Sequence, residues 1–271
     1  MFGIFRRVCA GRFATLRRAT RAAFEAPRGR RKRTGEKIIA TYTEWQRIEK
    51  KYLFSTPIAY ALRHRLEAVL REDAHNGPEG YIVRSLYFDT VSDADFFDKI
   101  EGLEQRRKVR LRVYPPNLRS VKLEFKEKGG VYQRKRSLNI SAEDARALIR
   151  RDFSVLLRLE HPLAAELFGI LSAEVYLPRC IVEYRRRAFL APGSDTRLTF
   201  DSHIRAGEGC LDLFAPVLYL HPALDPSDIT LEVKYSHFLF GYIRDTLGEY
   251  GKTERSVSKY CLSRQISYVQ T

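Results

Sequence analysis

Cysteine is scarce in this chain of 271 residues, and the few cysteines lie far apart. The four positions are Cys9, Cys180, Cys210 and Cys261, and they form no Cys-x-x-Cys pair. A zinc knuckle needs closely spaced thiols, and a small disulfide-bonded scaffold needs many of them. The sequence therefore excludes both classes and is typical of a protein from a reducing compartment.

Long apolar segments are missing as well. The longest runs are short, for example Phe238-Leu239-Phe240, whereas a helix that spans a bilayer needs about 20 predominantly apolar residues. Hydrophobic residues still make up 44% of the chain and charged residues 30%. This composition supports a packed core and excludes a wholly disordered chain. We therefore expect a folded cytoplasmic domain without a membrane-spanning helix.

Acidic residues are nearly absent from the first 40 positions, where twelve Lys and Arg accompany only Glu25 and Glu36. The whole chain has 48 Lys and Arg against 33 Asp and Glu, a formal net charge of +15. Two thirds of this excess therefore belongs to a basic arm, residues 1–40, and residues 41–271 form the predicted domain. An excess of positive charge favours an anionic partner.

The basic arm leaves several interpretations open. Its apolar residues alternate with arginines up to Arg21, a mixture that lets an amphipathic helix lie on an anionic membrane. It is also Arg-rich and poor in acids, as organellar transit peptides are. A flexible, solubilising arm or a misassigned start site accounts for the same residues. Attachment to the inner face of the membrane, directly or through a membrane protein, is thus one alternative for localisation.

Residues 41–271 read as strands with a few inserted helices. Apolar and polar residues alternate in eight segments, at 44–54, 81–89, 105–114, 121–128, 131–139, 179–189, 196–203 and 230–235. Helices are expected at 56–71, 92–101, 141–151 and 162–173, with a last one after Ser236 or Ser258. Gly129-Gly130 predicts a hairpin turn and Ser141 predicts a helix cap. Thr56 as a cap, with Pro57 in the first turn, predicts another helix start. We expect an α+β fold with about eight antiparallel strands closed into a barrel.

The polar faces of these strands carry basic residues with a few carboxylates. In the segment that begins at Lys108, the residues Lys108, Arg110 and Arg112 share one face, and Val109 and Leu111 share the other. Four more segments repeat the pattern. A solvated sheet face would show similar alternation, but one face of a closed barrel points inward. Arginines with carboxylates in an interior suit a phosphate chain bound with Mg²⁺ or Mn²⁺.

Eight motifs in order resemble one known family. They are RIEKKYLF, YIVRSLYFDT, KVRLRVY, LEFKEKGG, VEYRRRAF, TRLTFDSHI, LEVKYS and SVSKY. Each is weak alone, but together they are similar to the VTC domain, a polyphosphate polymerase domain of the CYTH-like triphosphate tunnel metalloenzymes. The resemblance extends over residues 44–264, nearly everything after the basic arm.

The resemblance implies an antiparallel barrel whose basic tunnel binds ATP and a divalent metal, Mn²⁺ or Mg²⁺. The enzyme would be a phosphotransferase that adds the γ-phosphoryl group of ATP to inorganic polyphosphate. By motif and strand face, the expected catalytic residues are Lys259, Arg186 and Lys126. The expected phosphate-binding residues are Lys51, Arg110, Arg112, Lys126, Arg186, Lys234 and Arg47. The expected metal ligands are Glu232, Glu124 and Glu49.

Two further functions stay open at this point, a tunnel triphosphatase and a non-catalytic module that binds polyphosphate or nucleotide. The hydrolytic relatives begin with Glu-x-Glu-x-Lys, whereas this chain has Arg47, Glu49 and Lys51, which favours the polymerase branch. No specific nucleic-acid partner is expected, because the domain shows no recognisable nucleic-acid module. On the strand of VEYRRRAF, period-two alternation cannot decide whether Arg186 or its neighbours point inward.

Overall fold

The computed structural model describes residues 41–43, 48–130, 132–250, 254 and 257–269. The basic arm at residues 1–40 and the expected phosphate-binding residue Arg47 lie outside the described residues. No helix within the described part of the chain is long and apolar enough to cross a membrane.

Eleven strands form one antiparallel sheet in the described residues. Nine of them make up the main path, which are β1 (Thr41–Thr43), β2 (Ile48–Ser55), β4 (Tyr81–Thr90), β5 (Arg106–Tyr114), β6 (Asn117–Gly129), β7 (Tyr132–Ser141), β8 (Tyr176–Leu190), β9 (Arg197–Gly207) and β11 (Asp228–Tyr235). Two short strands, β3 (Arg71–Glu72) and β10 (His221–Pro222), pair with β8 and β9. All eight predicted strands are therefore present.

Four α-helices lie between strands, as expected, and two follow the last strand, where one was expected. They are α1 (Thr56–Glu67), α2 (Ala94–Ile100), α3 (Ala142–Ile149), α4 (Pro162–Ala173), α5 (Gly241–Glu249) and α6 (Lys259–Val269), with a 3-10 helix at Phe153–Leu159. The backbone N–H of Asp144 donates to Oγ of Ser141 at 3.0 Å, which confirms the predicted cap of α3. The cap predicted at Thr56 is wrong, because its hydroxyl donates instead to the carbonyl oxygen of Ser227.

The predicted closure of the sheet into a barrel is not seen. Hydrogen bonding runs in the order β1-β7-β6-β5-β4-β8-β9-β11-β2, and the two end strands do not pair with each other in the described residues. Strand β1 has only three residues, and Tyr52 of β2 forms an isolated bridge with Glu254 near the C-terminus. The fold is thus α+β with one large, curled antiparallel sheet and flanking helices.

Apolar helix faces cover the outside of the sheet. The 3-10 helix and helices α3 and α4 pack on strands β4 to β8, where Val109, Leu111 and Val113 are fully buried. Helices α1 and α5 pack on β2, β9 and β11. Because alternate side chains of a strand point to opposite faces, burying the valines and leucine on the outside turns the basic residues of β5 to the inside.

Candidate functional site

The inner face of the sheet encloses a strongly basic cavity of about 630 Å³. Strands from both halves of the sheet contribute to it, together with α2 and the segment that enters α6. In the described part of the chain, twelve Lys and Arg side chains and four Glu side chains line this cavity. Such an excess of positive charge in one enclosed space calls for an anionic ligand with several charges.

Nine of the eleven expected site residues line this single cavity. They are Lys51, Arg110, Arg112, Lys126, Arg186, Lys234, Lys259, Glu49 and Glu232. Of the other two, Arg47 lies outside the described residues, and Glu124 is buried behind the cavity wall with only 1% of its surface exposed. The nine residues that line the cavity are spread over more than 200 positions of the sequence, and the curl of the sheet brings them together.

Arg186 points into the cavity, which answers the question that alternation left open. A register shift between Glu183 and Arg185 interrupts the pairing of β8 with β9. After the shift, Arg186 stands opposite Asp201, and its side chain is 12% exposed. Its neighbours Arg185 and Arg187 point outward and pair with Glu79 and Glu72. The side chain shares its inner face with Tyr184, as the parity of the strand requires.

Two arginines of β5 are fixed by a carboxylate underneath them. Nε of Arg110 donates to Oε2 of Glu124 at 2.5 Å, and Nη1 of Arg110 donates to the hydroxyl of Tyr87 at 2.9 Å. Nη1 of Arg112 lies 3.8 Å from the same Glu124 oxygen. Burial alone would raise the pKa of Glu124, but Arg110 and Arg112 hold that pKa well below its usual range. Glu124 thus holds Arg110 and Arg112 in place from below and is not among the residues that line the cavity.

Among the lysines of the cavity, Lys126 has a strongly lowered pKa. Burial, with help from Lys234 and Arg110, lowers the pKa of its ammonium to about 7 against the opposing effect of Glu49. Lys126 belongs to β6 and Glu49 to β2, so this interaction also shows that distant strands of the sheet face each other. An anion that enters the cavity favours the charged form of Lys126.

Two carboxylates stand side by side on neighbouring strands. Lys234 of β11 pairs with Glu49 of β2, and its Nζ lies 2.5 Å from Oε1 of Glu232 and 3.8 Å from Oε2 of Glu49. Lys51 lies 2.8 Å from the other oxygen of Glu49. Burial raises the pKa of Glu232, but Lys234, Lys51 and Arg186 hold it well below its usual range. Both carboxylates are therefore ionised at neutral pH.

The carboxylate pair suits a hard divalent cation. Oxygen ligands are what Mg²⁺ and Mn²⁺ prefer, and Mg²⁺ is usually held by one or two carboxylates together with substrate phosphates. No cluster of three or more His, Cys, Asp or Glu residues is formed within the part of the chain that the structure describes. The donor set thus fits a metal that completes its coordination with phosphate oxygens and water. The ammonium of Lys234 now lies beside the two carboxylates.

The C-terminal segment that enters α6 also contributes side chains and a carbonyl group to the cavity. Helix α6 begins at Lys259, whose Nζ lies 2.7 Å from Oδ2 of Asp201 and 4.8 Å from the centre of the Tyr184 ring. Just before it, Ser258 accepts a hydrogen bond from Lys108 at 2.8 Å. The carbonyl of Val257 accepts one from Lys51 at 3.3 Å. The SKY motif is thereby anchored across the sheet, with its lysine inside the cavity.

Several cavity residues were not among the predicted site residues. The main ones are Lys99, Arg106, Arg107, Lys108 and Lys128, which line one end of the cavity, and Asp201, which is fully buried beneath it. Arg106 and Lys108 share the face of Arg110 by simple alternation, so the sequence carried a signal for both. Lys99 comes from α2, and no strand pattern could reveal it.

Comparisons with known proteins identify the family and relate the fold to solved structures. The sequence model of the VTC domain matches residues 46–268 of this chain. The fold is similar to that of a proposed adenylyl cyclase from Hippeastrum described as having a dominant triphosphatase activity, with a TM-score of 0.50 and 13% identity. That alignment covers 81% of this chain and 95% of the other.

A proposed adenylate cyclase from Bacillus halodurans has a TM-score of 0.47 and 13% identity, with 79% of this chain and 95% of the other covered. No curated protein sequence matches the chain. Identities this low show a shared fold, whereas the sequence match over most of the chain identifies the family. This chain belongs to the VTC domain family.

Proposed function

We propose that this domain is a polyphosphate polymerase, which transfers the γ-phosphoryl group of ATP to the end of a growing polyphosphate chain. The observation that carries the proposal is a row of four cations on β5. Arg106, Lys108, Arg110 and Arg112 all line the cavity. Side chains on one face of a strand repeat at roughly 6.8 Å, so the row extends over about 20 Å.

A row of this length exceeds what a nucleoside triphosphate needs. The three phosphates of ATP can occupy one part of the row, beside the carboxylates and Lys126. The cations at the start of β5 then remain available to a second stretch of phosphates. Strand β6 reinforces that end, because Lys128 pairs with Arg106 and Lys126 pairs with Lys108. A polymerase needs such a site, since the donor nucleotide and the acceptor chain must be bound together.

Different residues of the cavity have different roles in phosphoryl transfer. Arg110, Arg112 and Lys126 bind the β- and γ-phosphates, and Arg186 and Lys259 stabilise the charge that develops in the transition state. An oxygen of the terminal acceptor phosphate attacks the γ-phosphorus, the bond from that phosphorus to the β-γ bridging oxygen breaks, and ADP leaves. The attacking oxygen is already ionised, so the step requires no strong general base.

A divalent metal fits beside these groups. Glu232 and Glu49 would hold Mg²⁺ or Mn²⁺ through their ionised oxygens. When bound, such a metal would supply positive charge that helps to neutralise the phosphates. The chain's own part is to orient the phosphates with arginines, to exclude water by the curl of the sheet and to keep Glu232 deprotonated through Lys234 and Lys51.

A triphosphatase is the second candidate, because the Hippeastrum protein with a similar fold is described as having that activity. A hydrolase needs a bound triphosphate and a water, but it has no need for cations beyond the triphosphate. The two functions therefore differ in whether the cations at the start of β5 and the end of β6 bind phosphates beyond the triphosphate.

Binding measurements with two chain lengths separate these functions. Calorimetric titration should show that polyphosphate of several tens of units binds much more tightly than tripolyphosphate. The double variant Arg106→Ala/Lys128→Ala should lose most of this difference and retain its affinity for tripolyphosphate. Arg119→Ala/Lys122→Ala is the matched control, because it removes the same charge from β6 outside the cavity. Equal affinities for both lengths in the unmodified protein would contradict the proposal.

A further inference from the structure

Asp201 is a buried carboxylate beneath the two cations assigned to the transition state. It lies on β9 opposite Arg186 of β8 and opposite Thr230 of β11, so three adjacent strands meet at this row. Its side chain is fully buried. A carboxylate in such a place is costly unless charged donors surround it, and here they do.

The contacts of Asp201 define the orientation of Arg186. Nε of Arg186 donates to Oδ1 at 2.7 Å, and Nη2 donates to Oδ2 at 2.8 Å. This two-bond fork uses one edge of the planar guanidinium. The opposite edge, with Nη1 and the second hydrogen of Nη2, remains to face the cavity that Arg186 lines. A phosphate can be held there with fixed geometry.

The same carboxylate holds Lys259. Nζ of Lys259 lies 2.7 Å from Oδ2 of Asp201 and 3.4 Å from Oγ1 of Thr230. The Tyr184 ring lies beneath both cations, 4.8 Å from the ammonium and 5.2 Å from the guanidinium carbon. Two positive groups that would repel each other are thereby kept close together. Burial raises the pKa of Asp201, but Arg186 and Lys259 outweigh it and lower that pKa.

Asp201 lies apart from the carboxylate pair assigned to the metal. Both of its oxygens already accept charged donors, and it is not among the residues that line the cavity. Glu232 and Glu49, in contrast, line the cavity. The chemistry of Asp201 is thus that of an anchor for two cations.

We infer that Asp201 is a positioning residue for phosphoryl transfer, which fixes Arg186 and Lys259 as a paired clamp on the transferred phosphate. This inference rests on the proposed function. It extends that function by naming the residue that aligns the two transition-state cations. Loss of the anchor should leave both cations in the cavity but let them move. Ground-state binding as a whole then changes little, because the smaller share contributed by Lys259 is offset by the loss of a negative charge near the phosphates, whereas stabilisation of the transition state is lost.

The test compares Asp201→Asn with Glu183→Gln. Glu183 is also a buried carboxylate that holds two arginines, Arg84 and Arg205, but it lies outside the cavity. Both variants are expected to lower the unfolding midpoint. Only Asp201→Asn should lower kcat, by at least about tenfold, with KM for ATP kept within about twofold. An equal kcat in the two variants, or a parallel change in KM and kcat, would overturn the inference.

A binding cycle tests the anchor without turnover. Lys259→Met should weaken tripolyphosphate binding in the unmodified protein by a larger factor than in Asp201→Asn, with a coupling of about threefold or more, beyond what independent sites show. Additive effects would overturn the inference, and so would loss of the Mn²⁺ effect on binding in Asp201→Asn, which would make Asp201 a metal ligand. If the unmodified protein makes no polyphosphate, the proposed function fails, and this cycle still reads the coupling.

Discussion

The ammonium of Lys234 lies 2.5 Å from Oε1 of Glu232. It is the positive partner of a carboxylate pair to which a divalent cation could bind with phosphate oxygens. A metal bound there would compete with Lys234 for the same negative charge, and its binding would release Lys234.

This relationship predicts the effect of Glu232→Gln on metal dependence. In the unmodified protein, Mn²⁺ should strengthen tripolyphosphate binding, and the variant should lose at least about tenfold of that gain. Calorimetric titration with Mn²⁺ and with a chelator measures both values. Glu127→Gln is the control, because Glu127 also lines the cavity but pairs with Arg136 at 2.7 Å. An identical Mn²⁺ effect in both variants would exclude Glu232 as a ligand.

Lys126 predicts that phosphate binding takes up a proton. Its pKa is lowered to about 7 in the empty cavity, so above that pH the lysine is largely neutral. Tripolyphosphate favours the charged form, and the affinity should therefore fall as the pH rises from 7 to 9. Titrations at pH 8.5 in buffers of different ionisation enthalpy, with a chelator present, count the protons.

The matched comparison for this proton uptake is Lys126→Met with Lys122→Met. Lys122 lies on the same strand but does not line the cavity. The first variant should lose most of the uptake, and the second should keep it. Subtracting the proton uptake of each variant from that of the unmodified protein removes the contribution of protons that the ligand itself gains or loses. Uptake unchanged in Lys126→Met would place the titrating group elsewhere.

Glu124→Gln is expected to destabilise the protein in a way that phosphate corrects. The change removes the carboxylate that pairs with Arg110, Arg112 and Lys135. Leaving buried cations without their partner costs about 3–5 kcal/mol of unfolding free energy. Tripolyphosphate should raise the unfolding midpoint more in this variant than in the unmodified protein, because the anion restores the missing negative charge.

Glu166→Gln serves as the comparison for that experiment. Glu166 has 41% of its side chain exposed and pairs at 2.5 Å with Arg136, which is buried and also pairs with Glu127. Because Arg136 keeps that second carboxylate, loss of the half-exposed pair should cost about 1 kcal/mol or less. Chemical denaturation with and without tripolyphosphate gives all four values. If the phosphate-induced gain is the same in Glu124→Gln as in the unmodified protein, Glu124 does not support the phosphate site.

The backbone of Gly80 packs closely against the backbone of Arg186. It has a φ of +83°, and a Cβ placed there would lie 2.2 Å from the carbonyl oxygen of Arg186. Gly80→Ala should therefore destabilise the fold and also lower ATP turnover, since the strand that carries Arg186 must move. Gly102→Ala isolates the conformational cost, because Gly102 has a φ of +75° and nothing within 4 Å of such a Cβ. Equal turnover in both variants would show that Arg186 tolerates the shift.

The sequence was sufficient to predict the elements of the sheet. Alternation located eight of the nine strands on the main path and missed only the three-residue β1, and the turn at Gly129-Gly130 joins β6 to β7 as expected. Closure of the barrel could not be read from alternation, because it depends on which segments meet at the edges of the sheet. Here the edge of β2 meets Glu254 instead of β1.

The site was predictable where function follows strand parity and not where it depends on neighbours. Arg110 and Arg112 share the inner face with Lys108, as the pattern required. The direction of Arg186 needed the neighbouring strands, because parity alone did not say which face of β8 is the inner one, and the register shift in the pairing with β9 sets Asp201 opposite it. Glu124 has the parity of Lys126, but the arginines of the next strand cover it. The role of Asp201 appears only when β8, β9 and α6 meet.

The measurement that tests the central claim most directly is the fate of the γ-phosphoryl group of ATP. Phosphorus NMR of the purified protein with ATP and Mn²⁺ distinguishes bridging phosphates of a chain from orthophosphate. The account predicts a growing signal of bridging phosphates with an equal release of ADP, and its loss in Lys126→Ala. Orthophosphate with no bridging signal would make the protein a triphosphatase, and binding with no turnover would make it a binding module; either result would contradict the account.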